Sequence, residues 1–214
     1  MTSLATSPAA PEKAKAPHST HSTTCTKSYR ADGGASASSK RMRLLLRPID
    51  ANNIGTLRVL NRVILPVQYK DKFYRDVVGY PEEVRQMAYK GDNVVGAVCC
   101  RVEDHPSGIG KRLYIMTLGV LAAYRGYQVG TQLLEHVLDH AAKKMADVKS
   151  VYLHVHTVNE DAVTFYGKFG FKVAETIPNY YTRVQPPSCH VLERENVLAE
   201  NEKAEDSSSG DSKP

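Results

Sequence analysis

The chain contains no apolar run approaching the ~20 residues that a membrane-spanning helix needs, so no span and no membrane partner are expected. The N-terminus carries no apolar block of the secretory kind. Cysteine is scarce. Cys25, Cys99, Cys100 and Cys189 are the only four, and none stands in a C-x-x-C spacing. That argues against structural zinc and against a disulfide framework. Cys99 and Cys100 are neighbours in an apolar strand, which sends their side chains to opposite faces as reduced packing residues. His18, His21 and Cys25 fall in low-complexity sequence and make a poor metal set, so no metal is expected. Charge of one sign is not in large excess either: the formal net charge is +5. It is uneven, with Lys13, Lys15, Lys27, Arg30, Lys40 and Arg41 near the start and mostly acids from Glu193 onward. A basic arm of this density reads as a solvated tail, and no DNA partner is expected.

What is present is enough for one domain with tails in 214 residues. Residues 1–41 are basic and rich in Ser, Thr and Ala, and bury too little apolar surface to order; their composition also admits a transit peptide. Residues 42–192 carry the apolar periodicity of a folded domain. Residues 193–214 read as an acidic disordered tail. Within the domain the order is strand (RLLLRPI), a helix capped by Asn52 or Asn53 with Ile54, Leu57, Val59, Leu60 and Val63 at helical spacing, and a loop through Pro66. A short helix, a turn near residues 81–85, and a hairpin around Gly91 and Asp92 follow. Then come a central strand, a long helix, a strand (SVYLHVHTV), a helix over residues 159–168, and closing strands in FKVAETI and in NYYTRV to HVLE. The class is α+β around a mixed central sheet flanked by helices.

The stretch RLYIMTLGVLAAYRGYQVGTQLL, residues 112–134, organises the rest. It begins as a strand, passes through a turn of Arg125, Gly126, Tyr127, Gln128, Val129 and Gly130, and opens a helix. The apolar face of that helix is Val129, Leu133, Leu134, Val137, Leu138 and Ala141. The first helical N–H groups lack intrahelical acceptors and sit at the positive end of the dipole, so such a turn can hold phosphate. Glycine lets the backbone approach the anion. A second stretch, NEDAVTFYGKFGF, places Asn159 and Tyr166 on one helical face that can line a long ligand beside the turn. A third feature is a possible acid–base pair. Tyr114 lies on the central strand and His154 on the strand after the long helix. A crossover of that kind sets the two strands parallel and adjacent, and both side chains then share one cleft.

These stretches together are identified as those of the GCN5-related acetyltransferases, in which an Arg/Gln-x-x-Gly-x-Gly/Ala turn holds the pyrophosphate of acetyl-CoA. ILPVQYKDKFY, VGAVCCRVE, KRLYIMTLG, YLHV and NYYTR resemble more specifically the N-terminal acetyltransferase catalytic subunits of the NatE type. The resemblance implies the superfamily's fold, with a splayed central strand. It implies catalysis by Tyr114 and His154 through ordered water. It implies acetyl-CoA contacts from Leu118, Gly119, Val120, Arg125, Gly126, Tyr127, Gln128, Val129, Gly130 and Thr131, and from Asn159, Ala162 and Tyr166. It further implies a peptide pocket of Leu65, Pro66, Val67, Tyr69, Met116, Tyr180, Tyr181 and Arg183. Implied partners are protein N-termini and the catalytic and auxiliary subunits of NatA at the ribosome. The implied location is the cytoplasm, with the nucleus as a second one.

The implied reaction moves acetyl to the α-amine of a retained initiator Met followed by an apolar or small residue. Two positions depart from the family pattern. Gln128 stands where glycine is expected: at negative φ its N–H can still bind phosphate, whereas positive φ brings strain of roughly 1–2 kcal/mol and weaker cofactor binding. Leu65 is smaller than the expected aromatic. Alternative readings are acetylation of lysine side chains, or a weakly active scaffold bound to NatA.

Overall fold

The computed structural model describes residues 41–65, 68–181 and 185–196. Seven strands and four helices follow in the order β1 (Leu45–Pro48), α1 (Ile54–Ile64), α2 (Asp71–Val77), β2 (Arg85–Lys90), β3 (Asn93–Asp104), β4 (Lys111–Val120), α3 (Val129–Lys144), β5 (Val148–His156), α4 (Glu160–Gly167), β6 (Lys172–Ile177) and β7 (Cys189–Glu195). Short 3-10 turns precede β2 (Glu82–Val84) and follow β4 (Ala122–Tyr124). The sheet order is β1-β2-β3-β4-β5-β7-β6. Every pairing is antiparallel except β4 with β5, which the α3 crossover joins in parallel. This is the mixed α+β sheet that the residue pattern implies.

Helices cover both faces. The six apolar residues of α3 named above are the buried residues of that helix, and they pack with Val98, Cys100, Leu113, Val151 and Leu153. Across the sheet, Leu57 and Leu60 of α1 and Tyr74 and Val77 of α2 pack with Met87, Ala97 and Cys99. Cys99 and Cys100 thus belong to different cores, as strand alternation requires. Both thiols are free and fully buried, and burial pushes Cys99 up to about 12.

Two features of β4 position the site. It pairs with β5 only from Lys111 to Tyr114, where Tyr114 faces Tyr152. Beyond that point β5 continues alongside β7 to His156, and β4 alongside β3 to Val120. The parallel strands therefore part just after Tyr114. At the same place Cys99 pairs with Thr117 and Cys100 with Ile115, so Met116 is the extra residue of a bulge. A bulge shifts the side-chain alternation by one: Leu113 and Ile115 point to the α3 face before it, Leu118 and Val120 after it.

The structure differs from the sequence reading in four places. Asn53 stands at the N-cap of α1, but its side chain makes no cap bond. It instead accepts from Asp50 N–H and donates to the Pro48 carbonyl, while Asp50 Oδ1 accepts from the N–H groups of Asn52 and Asn53. Val59 and Val63 face outward at 62% and 69% exposure, so the buried stripe of α1 is narrower than its spacing suggests. Tyr180 and Tyr181 precede β7 in non-strand backbone, and residues 182–184 of that expected strand lie outside the described residues. Finally, β7 continues through Glu195, and Asn196 is buried with its amide donating to the carbonyls of Ala141 and Val148. The packed chain thus runs past Leu192, because the acids of β7 alternate outward while Leu192 stays in the core.

Candidate active site

The parallel register brings the two proposed proton carriers together. His154 Nδ1 lies 3.2 Å from Tyr114 Oη, and the rings meet edge-on at 5.4 Å. Burial, reinforced by nearby Tyr180, Tyr69 and Tyr152, raises the Tyr114 hydroxyl well above the ordinary phenol value, so it keeps its proton. Burial also lowers His154; the Glu103 carboxylate opposes this, and Arg112 and Arg101 add to it. A neutral imidazole beside a protonated phenol is the state in which histidine accepts a proton.

Two aromatic walls flank the pair. On one side the Tyr69 hydroxyl donates to the Met116 carbonyl at 3.3 Å, and its ring lies 4.3 Å from Phe73. On the other side Tyr180 stacks on His154 at 4.8 Å and 16°, and Tyr181 packs edge-on against both Tyr180 and His156. Burial raises Tyr69 and Tyr180, and lifts Tyr181 to about 12, so these hydroxyls remain hydrogen-bond donors. Leu65 ends α1 in extended backbone. Pro66, Val67 and Arg183 lie outside the described residues. Phe73 was not among the expected wall residues. Its neighbours Tyr69 and Lys70 lead straight into α2, and the i, i+4 spacing of Tyr69 and Phe73 was the available signal.

The anion turn is built where β4 ends. Gly126 has φ +82° with open space where a Cβ would stand, and Gln128 caps α3 with φ 60° and ψ 24°. The left-handed alternative for Gln128 is therefore the one adopted. Its carbonyl accepts from Gln132 N–H at 3.0 Å and from Gln132 Nε2 at 3.3 Å. The same Nε2 donates to the Met42 carbonyl at 3.0 Å, Met42 N–H donates to the Tyr127 carbonyl at 3.2 Å, and Arg41 pairs with Glu135 at 3.0 Å. Residues 41 and 42 thus strap the turn from outside. Arg125 Nε reaches the Val120 carbonyl at 3.4 Å, and the Tyr127 ring is exposed. Val129 is buried in the core and offers the turn only its backbone, with Gly130 and Thr131 following as N–H groups free of intrahelical acceptors.

The remaining expected ligand contacts divide. The helix α4 does lie beside the turn: a Cβ on Gly130 would sit 3.6 Å from the Phe165 ring and from Val120. Asn159 caps α4 by accepting from Ala162 N–H at 3.2 Å. Tyr166 points into the core at 7% exposure, against Phe165 and Phe171. A Cβ on Gly119 would come 2.7 Å from Ile64 Cγ2, so that glycine admits the close approach of α1. Leu118 is half-buried against the α3 core.

The site thus combines a sheet that opens between two parallel strands, a glycine-bearing turn into α3, and a Tyr–His pair where the strands part. Residues 55–171 match the model of the acetyltransferase (GNAT) family, and the chain belongs to that family. Among its relatives, N-alpha-acetyltransferase 50 of Danio rerio is 49% identical over 71% of this chain and 88% of that protein. The probable N-acetyltransferase san of Drosophila melanogaster is 43% identical over 72% of this chain and 82% of that one. Among solved structures, Arabidopsis thaliana Naa50 in complex with the bisubstrate analogue CoA-Ac-MVNAL superposes with a TM-score of 0.64 at 46% identity, covering 71% of this chain and 97% of that chain.

Proposed function

We propose that the chain is an acetyl-CoA-dependent N-alpha-acetyltransferase acting on protein N-termini. The observation that carries this is the Tyr114–His154 contact placed where β4 and β5 part. Kinship with N-alpha-acetyltransferase 50 and the fit to Naa50 holding CoA-Ac-MVNAL support it.

The turn of residues 125–131 would hold the diphosphate of acetyl-CoA with backbone N–H groups and the helix dipole, and the bound cosubstrate would supply the acetyl thioester. The acceptor α-amine has an ordinary pKa of about 7.7–8.0, so part of it is protonated near neutrality. His154, held neutral, takes that proton through water. Tyr114, which stays protonated, hydrogen-bonds and orients the reacting group. A backbone N–H near Leu118 donates to the thioester oxygen. The amine then attacks the thioester carbon, the C–S bond breaks, and the nitrogen's second proton passes to the departing thiolate, which leaves as the CoA thiol. Cys99 and Cys100 are sealed in separate cores and take no part.

We assign the peptide pocket to Leu65, Tyr69, Met116, Tyr180 and Tyr181 among the described residues; the expected Pro66, Val67 and Arg183 lie outside them. Its aromatic and aliphatic lining favours a retained initiator Met followed by an apolar or small residue. The partners we assign are the catalytic and auxiliary subunits of NatA at the ribosome, in the cytoplasm, with the nucleus as a second location.

The test is His154→Ala and Tyr114→Phe, assayed with a Met-Leu peptide. Turnover is expected to fall at least about a hundredfold, while acetyl-CoA affinity by calorimetry is unchanged. Near-normal turnover in both variants contradicts the assignment. A peptide with a blocked N-terminus and a free lysine is expected to be a poor acceptor.

A further inference from the structure

On the same face of the sheet as Tyr114 and His154 lies a charged cluster that the reaction described above leaves unused. Strand register creates it: β3 sets Arg101 opposite Tyr114 and Glu103 opposite Arg112, and β5 sets Tyr152 beside Tyr114. Glu103 is the hub. Its Oε1 accepts from Arg101 Nε at 2.6 Å and lies 2.5 Å from Arg101 Nη2. Its Oε2 accepts from the Tyr152 hydroxyl and lies 3.5 Å from Arg112 Nη2. The arginines also cover the rings, Arg101 at 5.1 Å from the centre of Tyr114 and Arg112 at 4.0 Å from that of Tyr152. Tyr152 in turn stacks on Tyr114 at 4.8 Å and 26°, and meets His154 edge-on at 5.9 Å. One carboxylate therefore ties two cations and a stacked pair of rings to the imidazole.

We propose that Glu103 is a positioning residue for the acetyl transfer: it holds Tyr152 as the platform on which Tyr114 rests, and its negative charge offsets the two arginines beside His154. This rests on the reading of Tyr114 and His154 as the proton-handling pair. The Glu103 side chain is 22% exposed, shielded enough that an unmatched charge there acts on its neighbours with little screening.

The groups facing His154 can be named from each direction. Arg101 and Glu103 come from β3, Tyr114 and Arg112 from β4, Tyr152 and His156 from its own strand, and Tyr180 from the segment before β7. On the far side β7 sets Val191 opposite His154, and its Glu193 is engaged by Ser150 Oγ at 2.5 Å. Tyr69 lies beyond Tyr114. Among the groups that act on the imidazole electrostatically, Glu103 is the anion and Arg101 and Arg112 are the cations.

The signs follow. Glu103→Gln leaves two cations unmatched, disfavours imidazolium, and moves the titration of His154 to lower pH. Arg101→Gln removes a cation and moves it to higher pH. A carboxylate that merely braces the sheet would lower stability without moving either titration.

The experiment follows the His154 ring by NMR against pH in the full chain, with the resonance assigned by its loss in His154→Ala, alongside kcat/KM profiles with the Met-Leu peptide. Opposite shifts in Glu103→Gln and Arg101→Gln are expected, with the wild-type midpoint largely restored in Glu103→Asp. Tyr152→Phe keeps every charge, so its midpoint stays while turnover falls on the order of tenfold through loss of ring alignment. Unmoved midpoints in both charge variants, or shifts of the same sign, overturn the proposal. If Glu103→Gln does not fold by circular dichroism, Arg101→Gln and Tyr152→Phe still decide it. The NMR midpoints report on Glu103 even if His154→Ala keeps its turnover, so failure of the proton-handling reading is distinguishable from failure of this one.

Discussion

Gln128 gives the sharpest quantitative test, because the left-handed backbone region penalises any residue with a Cβ. At φ 60° and ψ 24° that penalty is roughly 1–2 kcal/mol for an L-residue other than glycine or asparagine. The surroundings fix the conformation. The carbonyl on one side of the residue is held by Met42, its own carbonyl by Gln132 twice, and the chain then enters α3. Gln128→Gly removes the clash and returns about 0.4–1 kcal/mol of extra freedom to the unfolded chain. The net expectation is a stability gain between about zero and 1.5 kcal/mol, or a Tm rise of up to about 5 °C at this domain size. Gln128→Val adds a β-branched side chain that resists positive φ, and should cost at least about 1 kcal/mol. The chain has no tryptophan, so urea unfolding is best followed by far-UV circular dichroism. A glycine variant destabilised by more than about 1 kcal/mol, or a valine variant as stable as wild type, would falsify the strain assignment.

Other outcomes follow from the same geometry. Because burial, and then the arginines, hold His154 below its ordinary value, its neutral form persists as pH falls. The acid limb of kcat/KM should therefore lie below about 6.5, and a midpoint above that value would remove His154 as the base. Gly130→Ala meets only ordinary contacts and gains up to about 1 kcal/mol of helix propensity, so stability should hold while acetyl-CoA binds at least about tenfold more weakly. Unchanged affinity by calorimetry would take Gly130 out of the phosphate seat. Gly119→Ala drives a methyl into Ile64 and should cost about 1–3 kcal/mol, read as a lowered urea midpoint. Cys99 and Cys100, fully buried, should resist iodoacetamide in native protein at pH 8 and react once it is unfolded, as peptide mass spectrometry would show.

The parts of the fold with strong periodicity could be read in the sequence. All six apolar positions of α3 are buried, and the crossover rule was enough to set the strands of Tyr114 and His154 side by side, where the two rings touch. What escaped was set by single-residue events and by tertiary partners. One extra residue at Met116 reverses the alternation of β4, and no local residue type announces a bulge. Val59 and Val63 have helical spacing but are covered by no element among the described residues. Asp50 takes the local hydrogen bonds that make Asn53 look like a cap. Arg101, Glu103 and Arg112 read as ordinary strand charges until the register of three strands puts them on Tyr114 and Tyr152. Tyr180 comes to His154 from outside any regular element.

The strap across the anion turn makes two distant stretches a single thermodynamic unit. Gln132 and Met42 are 90 residues apart in sequence yet share one hydrogen bond at the mouth of α3. Reciprocity then requires that a ligand binding more tightly to the turn with Met42 docked also favours that docking by the same factor. Losing Met42 would therefore release both its carbonyl from Gln132 and its N–H from Tyr127, and the turn ahead of α3 would lose its outer brace.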